Sequence, residues 1–283
     1  MGPRIKSTIV AVDFVHRMCG KSQAVLIEAN DHHQYVVKWL HNALSITAVC
    51  MEALRNSVYQ LLGLPVSSWT TIEIRDQLID MFPEAWPISG AAPFCLRPAA
   101  GVHFASQAVR DLPLCSYEVL SAGVYDKVQN RSDFWGAYVL DVWTERFDSR
   151  NAIFVPCDDS ADLNVIFIGH GNSTGSATLD AQEMFVSCLY SDRQIYRRDE
   201  MMEVCYRWIA QIQRFGRTAL RTALETMPTD WRTACVETMA ERLVARLDDL
   251  TELVFPTMPR VRLEVARHGP LAMDLRLRTA QII

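Results

Sequence analysis

The chain of 283 residues contains none of the spacings by which metal and redox sites are usually detected. No two of its eight cysteines form a Cys-x-x-Cys motif, so neither a zinc site nor a dithiol pair is visible. Its seven histidines form no His-x-x-x-His pair of the kind that holds zinc on a helix. Scattered cysteines are typical of free, mostly buried thiols in a reducing compartment, and we therefore expect a cytoplasmic protein.

Long apolar runs and an excess of basic residues are also missing. The longest apolar runs, such as Val165-Ile-Phe-Ile168, have the length of a strand and fall far short of a membrane span. The initial Met-Gly-Pro-Arg-Ile-Lys has no apolar core of a secretion signal. A formal net charge of −5 gives no general attraction to nucleic acid or to an anionic membrane. We expect neither of them as a direct partner.

Hydrophobic residues make up 49% of the chain, which is enough for a sizeable core. Up to about residue 105 the pattern is mainly that of β-strands, and a helix from about Thr47 to Leu62 interrupts it. The stretch from Pro83 to Pro98 contains four prolines and predicts an irregular loop. The predicted strands are 9–12, 24–27, 34–39, 68–74 and 101–105.

After this point the pattern is mostly helical. A helix is predicted from Asp133 to Val142, and the runs 152–155 and 164–168 predict a β-hairpin. Pro228-Thr-Asp230 can start a further helix. An apolar stripe with helical spacing follows it: Val236, Met239, Leu243, Leu247, Leu250 and Val254. We predict an α+β fold with a β-rich N-terminal lobe, 1–107, and a mostly helical C-terminal lobe, 108–283.

Lys38 is the first residue that could carry chemistry, because it ends a strand of mostly apolar residues. A lysine there is costly to bury alone, so it either reaches water or meets an anion such as phosphate. Glu52, inside the following helix, could pair with Lys38 and hold it in place. On a helical wheel, however, Glu52 faces away from the stripe of Leu54, Val58 and Leu61, which also fits an ordinary solvated glutamate.

Asp148 and Asn151 form the sharpest polar pair, in a turn between an apolar segment and a strand. Phosphoryl transfer needs a carboxylate that accepts the proton of the attacking hydroxyl, and an oxygen ligand such as Asn for magnesium. Asp and Asn also cap ordinary turns, so a structural role stays open. The turn Cys19–Gln23 lies where a phosphate-covering loop could lie, but its single glycine matches neither the Gly-x-Gly-x-x-Gly nor the Walker pattern.

Taken together and in this order, these segments resemble the HipA-like kinases, specifically a bacterial branch of short, stand-alone domains. The resemblance extends from about residue 10 to 180, and the helical tail fits it more loosely. The segments that carry it are Gly20-Lys-Ser-Gln-Ala24, Tyr35-Val-Val-Lys38, Leu62-Gly-Leu-Pro-Val66, Gly101-Val-His-Phe-Ala-Ser106, Asp141-Val-Trp-Thr-Glu-Arg-Phe-Asp148-Ser-Arg-Asn151 and Ile168-Gly-His-Gly171.

The resemblance implies a protein-kinase-like fold of two lobes that uses ATP and Mg²⁺ as cofactors. Lys38 would contact the ATP phosphates, and Glu52 would position Lys38. Ser22 and Gln23 would take part in binding the nucleotide from the loop between the first two strands. The expected partners are therefore ATP and a protein that serves as substrate or regulator.

In the second half, the resemblance implies that Asp148 is the catalytic base and Asn151 a magnesium ligand. Three positions depart from the family. Its metal-binding aspartate is Gly169, the asparagine of its Trp-x-x-Asn element is Arg146, and a loop glycine is Lys21. Loss of a carboxylate should weaken the binding of strongly hydrated Mg²⁺. Lys21 and Arg146 could partly neutralise phosphate instead, as fixed cations do.

Two functions therefore stay open. The first is an ATP-dependent phosphotransferase acting on a protein Ser/Thr hydroxyl, which would rest on Lys38, Asp148 and Asn151. An active enzyme would then need a further metal ligand, for which Asp180 is a candidate. The second is a pseudokinase that senses nucleotide or binds a partner without catalysis, because of Gly169.

Overall fold

A computed structural model describes residues 8–18, 22–40, 46–87, 97–109, 120, 123–157, 160–171 and 187–267. The chain forms two compact units. The first consists of Met1–Ala53 and Ser67–Arg110, and the second of Leu54–Val66 and Asp111–Ile283. Helix α1 (Ile46–Leu61) therefore has its first half in one unit and its second half in the other. The sequence-based division into 1–107 and 108–283 stays a prediction.

The first unit is built on a sheet of five strands, and a short helix follows the fourth strand in the chain. The strands are β1 (Ala11–Arg17), β2 (Val25–Ala29), β3 (Gln34–Lys38), β4 (Trp69–Ile74) and β5 (Gly101–Gln107). They are ordered β1-β2-β3-β5-β4, and every neighbouring pair is antiparallel. Helix α2 (Asp76–Met81) and a 3₁₀ turn at Pro83–Ala85 follow β4.

One face of this sheet carries the hydrophobic core of the first unit. Val25 and Ile27 of β2 and Val37 of β3 alternate with residues of the other face and join one buried cluster. Ile79 of α2 belongs to the same cluster. Because side chains alternate along a strand, Lys38 lies on the face opposite to Val37 and its cluster.

The predicted strands of the first unit agree with the structure in number but not in their ends. The run 9–12 overlaps only the start of β1, which continues to Arg17 and contains two register shifts that disturb simple alternation. Helix α2 was not predicted, because six residues are too few for a helical period to be recognised. In the proline-rich stretch, Pro83–Ala85 forms a 3₁₀ turn, and residues 88–96 lie outside the described ranges.

The second unit contains most of the helical residues and one β-hairpin. Its elements are α3 (Asp133–Trp143), β6 (Asn151–Pro156), β7 (Leu163–Ile168), α4 (Met201–Thr226), α5 (Ala234–Ala245), α6 (Leu250–Val254) and α7 (Met258–Arg267). Strands β6 and β7 pair in antiparallel register, as the sequence predicts. Every residue of α3 except Asp133 is buried, so this helix lies at the centre of the unit.

Helices α3 and α4 approach each other closely where glycine meets tryptophan. A Cβ atom added to Gly136 of α3 would overlap the ring of Trp208 of α4. A Cβ atom on Gly216 of α4 would lie 3.0 Å from the ring of Trp143 of α3. Both glycines are therefore required by the packing of the two helices.

The helical tail is more divided than the sequence suggests. Pro228 precedes a single 3₁₀ turn, Thr229–Trp231, and α5 begins only after Thr233, whose side chain accepts a hydrogen bond from the backbone N–H of Val236. The apolar stripe 236–254 is shared between α5 and α6. No helix among the described residues has both the length and the apolar character that a membrane crossing requires.

Candidate functional site

Lys38 and Glu52 form an ion pair in the first unit. The Nζ atom of Lys38 lies 2.7 Å from Oε1 and 2.5 Å from Oε2 of Glu52. The two side chains are 14% and 7% exposed, so the pair is largely shielded from water but not sealed. The structure thus decides between the sequence alternatives for these two residues: Lys38 meets an anion, and Glu52 is not an ordinary solvated glutamate.

The position of Lys38 follows from the sheet. Strand β3 lies between β2 and β5, so its backbone is hydrogen-bonded on both sides and is rigid. Lys38 is in register with Phe104 of β5, whose ring stacks on Trp69 of β4 at a centroid distance of 5.5 Å. The lysine therefore extends from a fixed backbone on the face of the sheet that is not filled by the hydrophobic cluster.

His103 of the Gly-x-His-Phe segment fixes the chain just after β3. Its Nδ1 atom accepts a hydrogen bond of 3.1 Å from the backbone N–H of Leu40. An acceptor at Nδ1 places the ring proton on Nε2, which lies 3.1 Å from the carbonyl oxygen of Ala99. His103 is buried and serves to hold the backbone beyond Lys38, which the sequence alone did not reveal.

Ser22 and Gln23 lie in the turn between β1 and β2 and are half-buried. The hairpin is closed by a hydrogen bond of 2.8 Å from the N–H of Met18 to the carbonyl of Ala24. Gln23 has a φ of +48°, a left-handed conformation that few residues other than glycine adopt readily. Gly20 and Lys21 lie outside the described residues. The role of Ser22 and Gln23 toward a nucleotide stays a prediction.

In the second unit, the turn that contains Asp148 and Asn151 adjoins Gly169. Asn151 begins β6 and pairs with Ile168, which ends β7, so Gly169 follows directly beside Asn151. A Cβ atom on Gly169 would lie 3.3 Å from Nδ2 of Asn151. Asn151 is exposed and Asp148 half-buried. The fold thus brings the turn with Asp148 and Asn151 next to the segment with Gly169, and a carboxylate at position 169 would stand next to Asn151.

Arg146 is fully buried and directed at backbone carbonyls. Its guanidinium donates to the carbonyl of Asp148 at 2.6 Å and to those of Ser149 and Gly169 at 3.0 Å. Burial, together with the nearby charge of Arg150, lowers the pKa of Arg146. The sequence-based expectation that Arg146 could neutralise phosphate directly is therefore wrong, because its bonding N–H groups are used to tie the Asp148 turn to the loop at Gly169.

Asp141 compensates this buried charge. Its carboxylate accepts hydrogen bonds from Nε of Arg150 at 3.1 Å, from Nη2 of the same residue and from the hydroxyl of Tyr59 at 2.8 Å. Arg146 approaches the same carboxylate at 3.4 Å. Burial acts to lower the pKa of Arg150, but the charge of Asp141, the Tyr59 hydroxyl and the hydrogen bonds to Asp141 together outweigh it and raise that pKa. Burial, and then Asp141, raise the pKa of the Tyr59 hydroxyl.

Two further contacts hold the backbone that leads to Asp148, and sequence reasoning missed both. Arg55 of α1 donates to the carbonyl of Thr144 at 3.3 and 3.2 Å and to that of His170 at 3.4 Å. Its only sequence signal is an arginine next to Leu54 of the apolar stripe. In the described chain, Arg55 therefore connects the segment before Asp148 with the segment after Gly169.

The second contact involves Glu145, which has a left-handed φ of +54°. Arg242 of α5 donates to both carboxylate oxygens of Glu145 at 2.6 Å, and Arg246 donates to one of them at 3.0 Å. Arg246 also donates to the carbonyls of Val142 and Trp143 at the end of α3. Helix α5 thus holds the unusual backbone conformation from which the Asp148 turn begins.

The residues near Asn151 form a poor donor set for Mg²⁺. They provide the carboxylate of Asp148 and the amide oxygen of Asn151, while Gly169 provides none. Magnesium requires octahedral oxygen ligation and is usually held by one or two carboxylates together with substrate phosphates. No group of three or more His, Cys, Asp or Glu side chains suited to a metal occurs within the described ranges, which exclude Asp180. These residues do not fit a metal that the protein itself would hold firmly.

Comparison with known proteins supports the fold rather than a family. No protein-family model matches the sequence, and no curated protein does. A crystal structure of the Golgi casein kinase matches with a TM-score of 0.54 at 13% identity, over 90% of this chain and 75% of that one. A second structure of the Golgi casein kinase, with Mn/ADP bound, matches with a TM-score of 0.53 at 13% identity, over 87% and 74%.

A third match is the proinflammatory kinase CtkA of Helicobacter pylori, at 11% identity over 93% of this chain and 99% of that one. Its TM-score of 0.47 is too low to add to the argument. The two structures of the Golgi casein kinase show that the chain has a kinase-like α+β fold, with an antiparallel sheet in its N-terminal part and mostly helices in its C-terminal part. This confirms the fold class predicted from the sequence.

Proposed function

We propose that this chain is a HipA-like, ATP-binding phosphotransferase that acts on a Ser or Thr hydroxyl of a protein. The observation that carries the proposal is the Lys38–Glu52 ion pair. In protein kinases, a lysine on the third strand pairs with a glutamate of the following helix and contacts the ATP phosphates. Here the lysine ends β3 and the glutamate lies in α1, the first described helix after it.

The proposed roles of the other residues follow from their chemistry. Ser22 and Gln23 would bind the nucleotide from the β1–β2 turn. The carboxylate of Asp148 would orient the attacking hydroxyl and take its proton. The hydroxyl oxygen then forms a bond to the γ-phosphorus while the bond from that phosphorus to the β–γ bridging oxygen breaks, which releases ADP. A divalent metal bound with the nucleotide would neutralise the phosphate charge, and Asn151 would contact it.

A pseudokinase is the second candidate, and the vicinity of Gly169 favours it. A metal that bridges the phosphates needs carboxylate ligands, and position 169 offers none. Arg146 does not replace the metal, because its guanidinium is bound to carbonyls. In this case the chain would bind a nucleotide with little dependence on Mg²⁺ and would act as a nucleotide sensor or a partner-binding module. That a protein of this fold has been crystallised with Mn/ADP makes both ligands the first to test here.

One experiment separates the two candidates. ATP is added with Mg²⁺, with Mn²⁺ or with EDTA, and the melting temperature is measured together with transfer of labelled γ-phosphate to the protein itself and to a Ser/Thr peptide mixture. A ligand that binds only the folded state raises the melting temperature. Transfer that disappears in Asp148→Asn, but not in a control with the exposed Asp230→Asn, supports the phosphotransferase.

Stabilisation by ATP without transfer, and equally with EDTA, supports the pseudokinase instead. If ATP neither stabilises the protein nor transfers phosphate under any of the three conditions, both candidates are rejected.

A further inference from the structure

A groove in the second unit has the features of a separate ligand site. It lies between the start of α4, the 3₁₀ turn Phe255–Thr257 and the start of α7, and has a volume of about 750 Å³. Six apolar residues line it: Met201, Met202, Tyr206, Phe255, Met258 and Pro259. Sites for small molecules typically have volumes of about 300–1,000 Å³ and mostly apolar walls.

The apolar wall is exposed and adaptable. Tyr206 is 53% and Met202 42% exposed, although both are large hydrophobic residues of one helix face. The rings of Tyr206 and Phe255 lie 4.4 Å apart between centroids and form a continuous aromatic surface. Methionine side chains are flexible and polarisable, and they adapt to ligands of different shape.

Two arginines complete the groove and give it a charge. Arg198 and Arg262 line it, and neither forms a hydrogen bond or an ion pair with any residue in the described part of the chain. The neighbouring Arg197, in contrast, binds Asp126 and Glu200. The acidic residues Asp199 and Glu203 are adjacent in sequence but do not line the groove. The groove therefore combines an apolar body with two arginines that form no ion pair within the described part of the chain.

We propose that this groove binds a small amphipathic carboxylate, namely a free medium-chain fatty acid. The alkyl chain would lie along Tyr206, Phe255 and the methionines, and Arg198 and Arg262 would bind the carboxylate, as guanidinium groups do in bidentate fashion. A small anion fits better than a large acidic partner, because the net charge of −5 repels an extended acidic surface, whereas two local arginines suffice for one carboxylate. This site is independent of the proposed nucleotide chemistry.

The test uses dodecanoate as the ligand and an anilinonaphthalene sulfonate, itself an apolar anion, as the fluorescent reporter. Dodecanoate should displace the reporter from the chain of 283 residues, and dodecanol should do so at least tenfold less well because it lacks the charge. Arg198→Gln and Arg262→Gln should each weaken dodecanoate binding at least about tenfold, as expected for the loss of a hydrogen bond between charged groups. Arg217→Gln, an exposed arginine of α4 outside the groove, is the matched control and should bind as the wild type does.

A variant of the apolar wall makes the test independent of the arginines. Tyr206→Ala should weaken dodecanoate and dodecanol by a similar factor, since it removes contact with the alkyl chain alone. Equal binding of dodecanoate and dodecanol, or unchanged binding in the double variant Arg198→Gln/Arg262→Gln, would overturn the proposal. Light scattering that shows a dimer in the absence of ligand, broken by Tyr206→Ala, would also overturn it and would assign the groove to a second copy of the chain.

Discussion

The two units use buried charge in different ways. In the first, one lysine faces one glutamate, and the pair keeps some contact with water. In the second, Asp141 is surrounded by Arg146 and Arg150, each with only 1% of its side chain exposed. Among the described residues, the ammonium of Lys38 is bound by the carboxylate of Glu52, whereas Arg146 mostly binds main-chain carbonyls. The first arrangement stays partly open to water, and the second holds the backbone in place.

This contrast shows that a charged residue in a sequence motif can either bind a ligand or stabilise the fold. The desolvation energy lost on burying an ion pair is about as large as the attraction between its two charges, so a sealed ionic cluster adds little net stability. Such a cluster is best explained by the backbone geometry that it maintains. A partly exposed ion pair stays accessible to a ligand, which can replace one of its two members as the partner of the other. Which of the two roles a charged residue has depends on the exposure of its side chain and on the groups that accept its hydrogen bonds. A sequence shows neither of them.

The largest effect should come from breaking the sealed cluster. Asp141→Asn leaves Arg146 and Arg150 buried without a counter-charge, and we expect the free energy of unfolding to fall by about 3–5 kcal/mol. Urea unfolding followed by circular dichroism measures this change. Asp148→Asn, in a half-buried residue of the same segment, serves as the control and should cost less than about 1 kcal/mol. Similar losses in the two variants would mean that Asp141 is not the compensating charge.

The partly exposed pair should affect ligand binding rather than stability. Lys38→Met keeps the apolar stem and removes the ammonium, so the Kd for ATP should rise at least about tenfold, since a hydrogen bond to a charged group contributes about 1.5–3 kcal/mol. Calorimetric titration measures this effect. Lys127→Met, in an exposed residue of the second unit, is the matched control. An unchanged Kd in Lys38→Met would remove Lys38 from the phosphate site.

Substitutions at position 169 test whether the missing carboxylate limits Mg²⁺-dependent binding of ATP. Gly169 has a φ of +63° and little space beside Asn151, so Gly169→Asp should lower the free energy of unfolding by about 1 kcal/mol. It should also make ATP binding depend on Mg²⁺, because it adds a carboxylate next to Asn151. Gly169→Asn has the same shape and strain without the charge and is the matched control. Mg²⁺ dependence that rises equally in both variants would contradict the role of the carboxylate.

The smallest effect should come from the exposed end of the Glu145 cluster. Arg242 is 57% exposed, so Arg242→Ala should cost only about 0.5 kcal/mol of stability. This loss should vanish in 1 M salt, which screens exposed charges. Arg246→Ala is the comparison, since Arg246 also binds the last carbonyls of α3 and its loss should persist in salt. Unfolding curves at low and high salt measure both.

Much of the fold could be predicted from the sequence, because the strands and longer helices repeat apolar residues with clear periods. The strand ends were wrong at β1, whose register shifts break the alternation, and α2 was too short to recognise. The break between α5 and α6 was missed because the apolar stripe runs on through both helices.

The candidate site was predicted only in part. The motif drew attention to Lys38, Glu52, Asp148 and Asn151, and the structure places the first two in contact and the last two in one turn beside Gly169. Their roles toward ATP stay predictions. The position of Arg146 was wrongly anticipated, because a sequence shows the charge of an arginine but not which carbonyls surround it.

The contact between Gly136 and Trp208 has a consequence for how this chain can diverge. The indole fills the space that any side chain at position 136 would need. The sizes of the side chains at the two positions are therefore coupled. A substitution that first shrinks the ring at position 208 leaves a cavity, whereas a methyl group that appears first at position 136 clashes with the ring. Cavities are the milder defect when the surroundings can relax. In relatives of this protein, residues 136 and 208 should therefore change together, with the aromatic residue lost first.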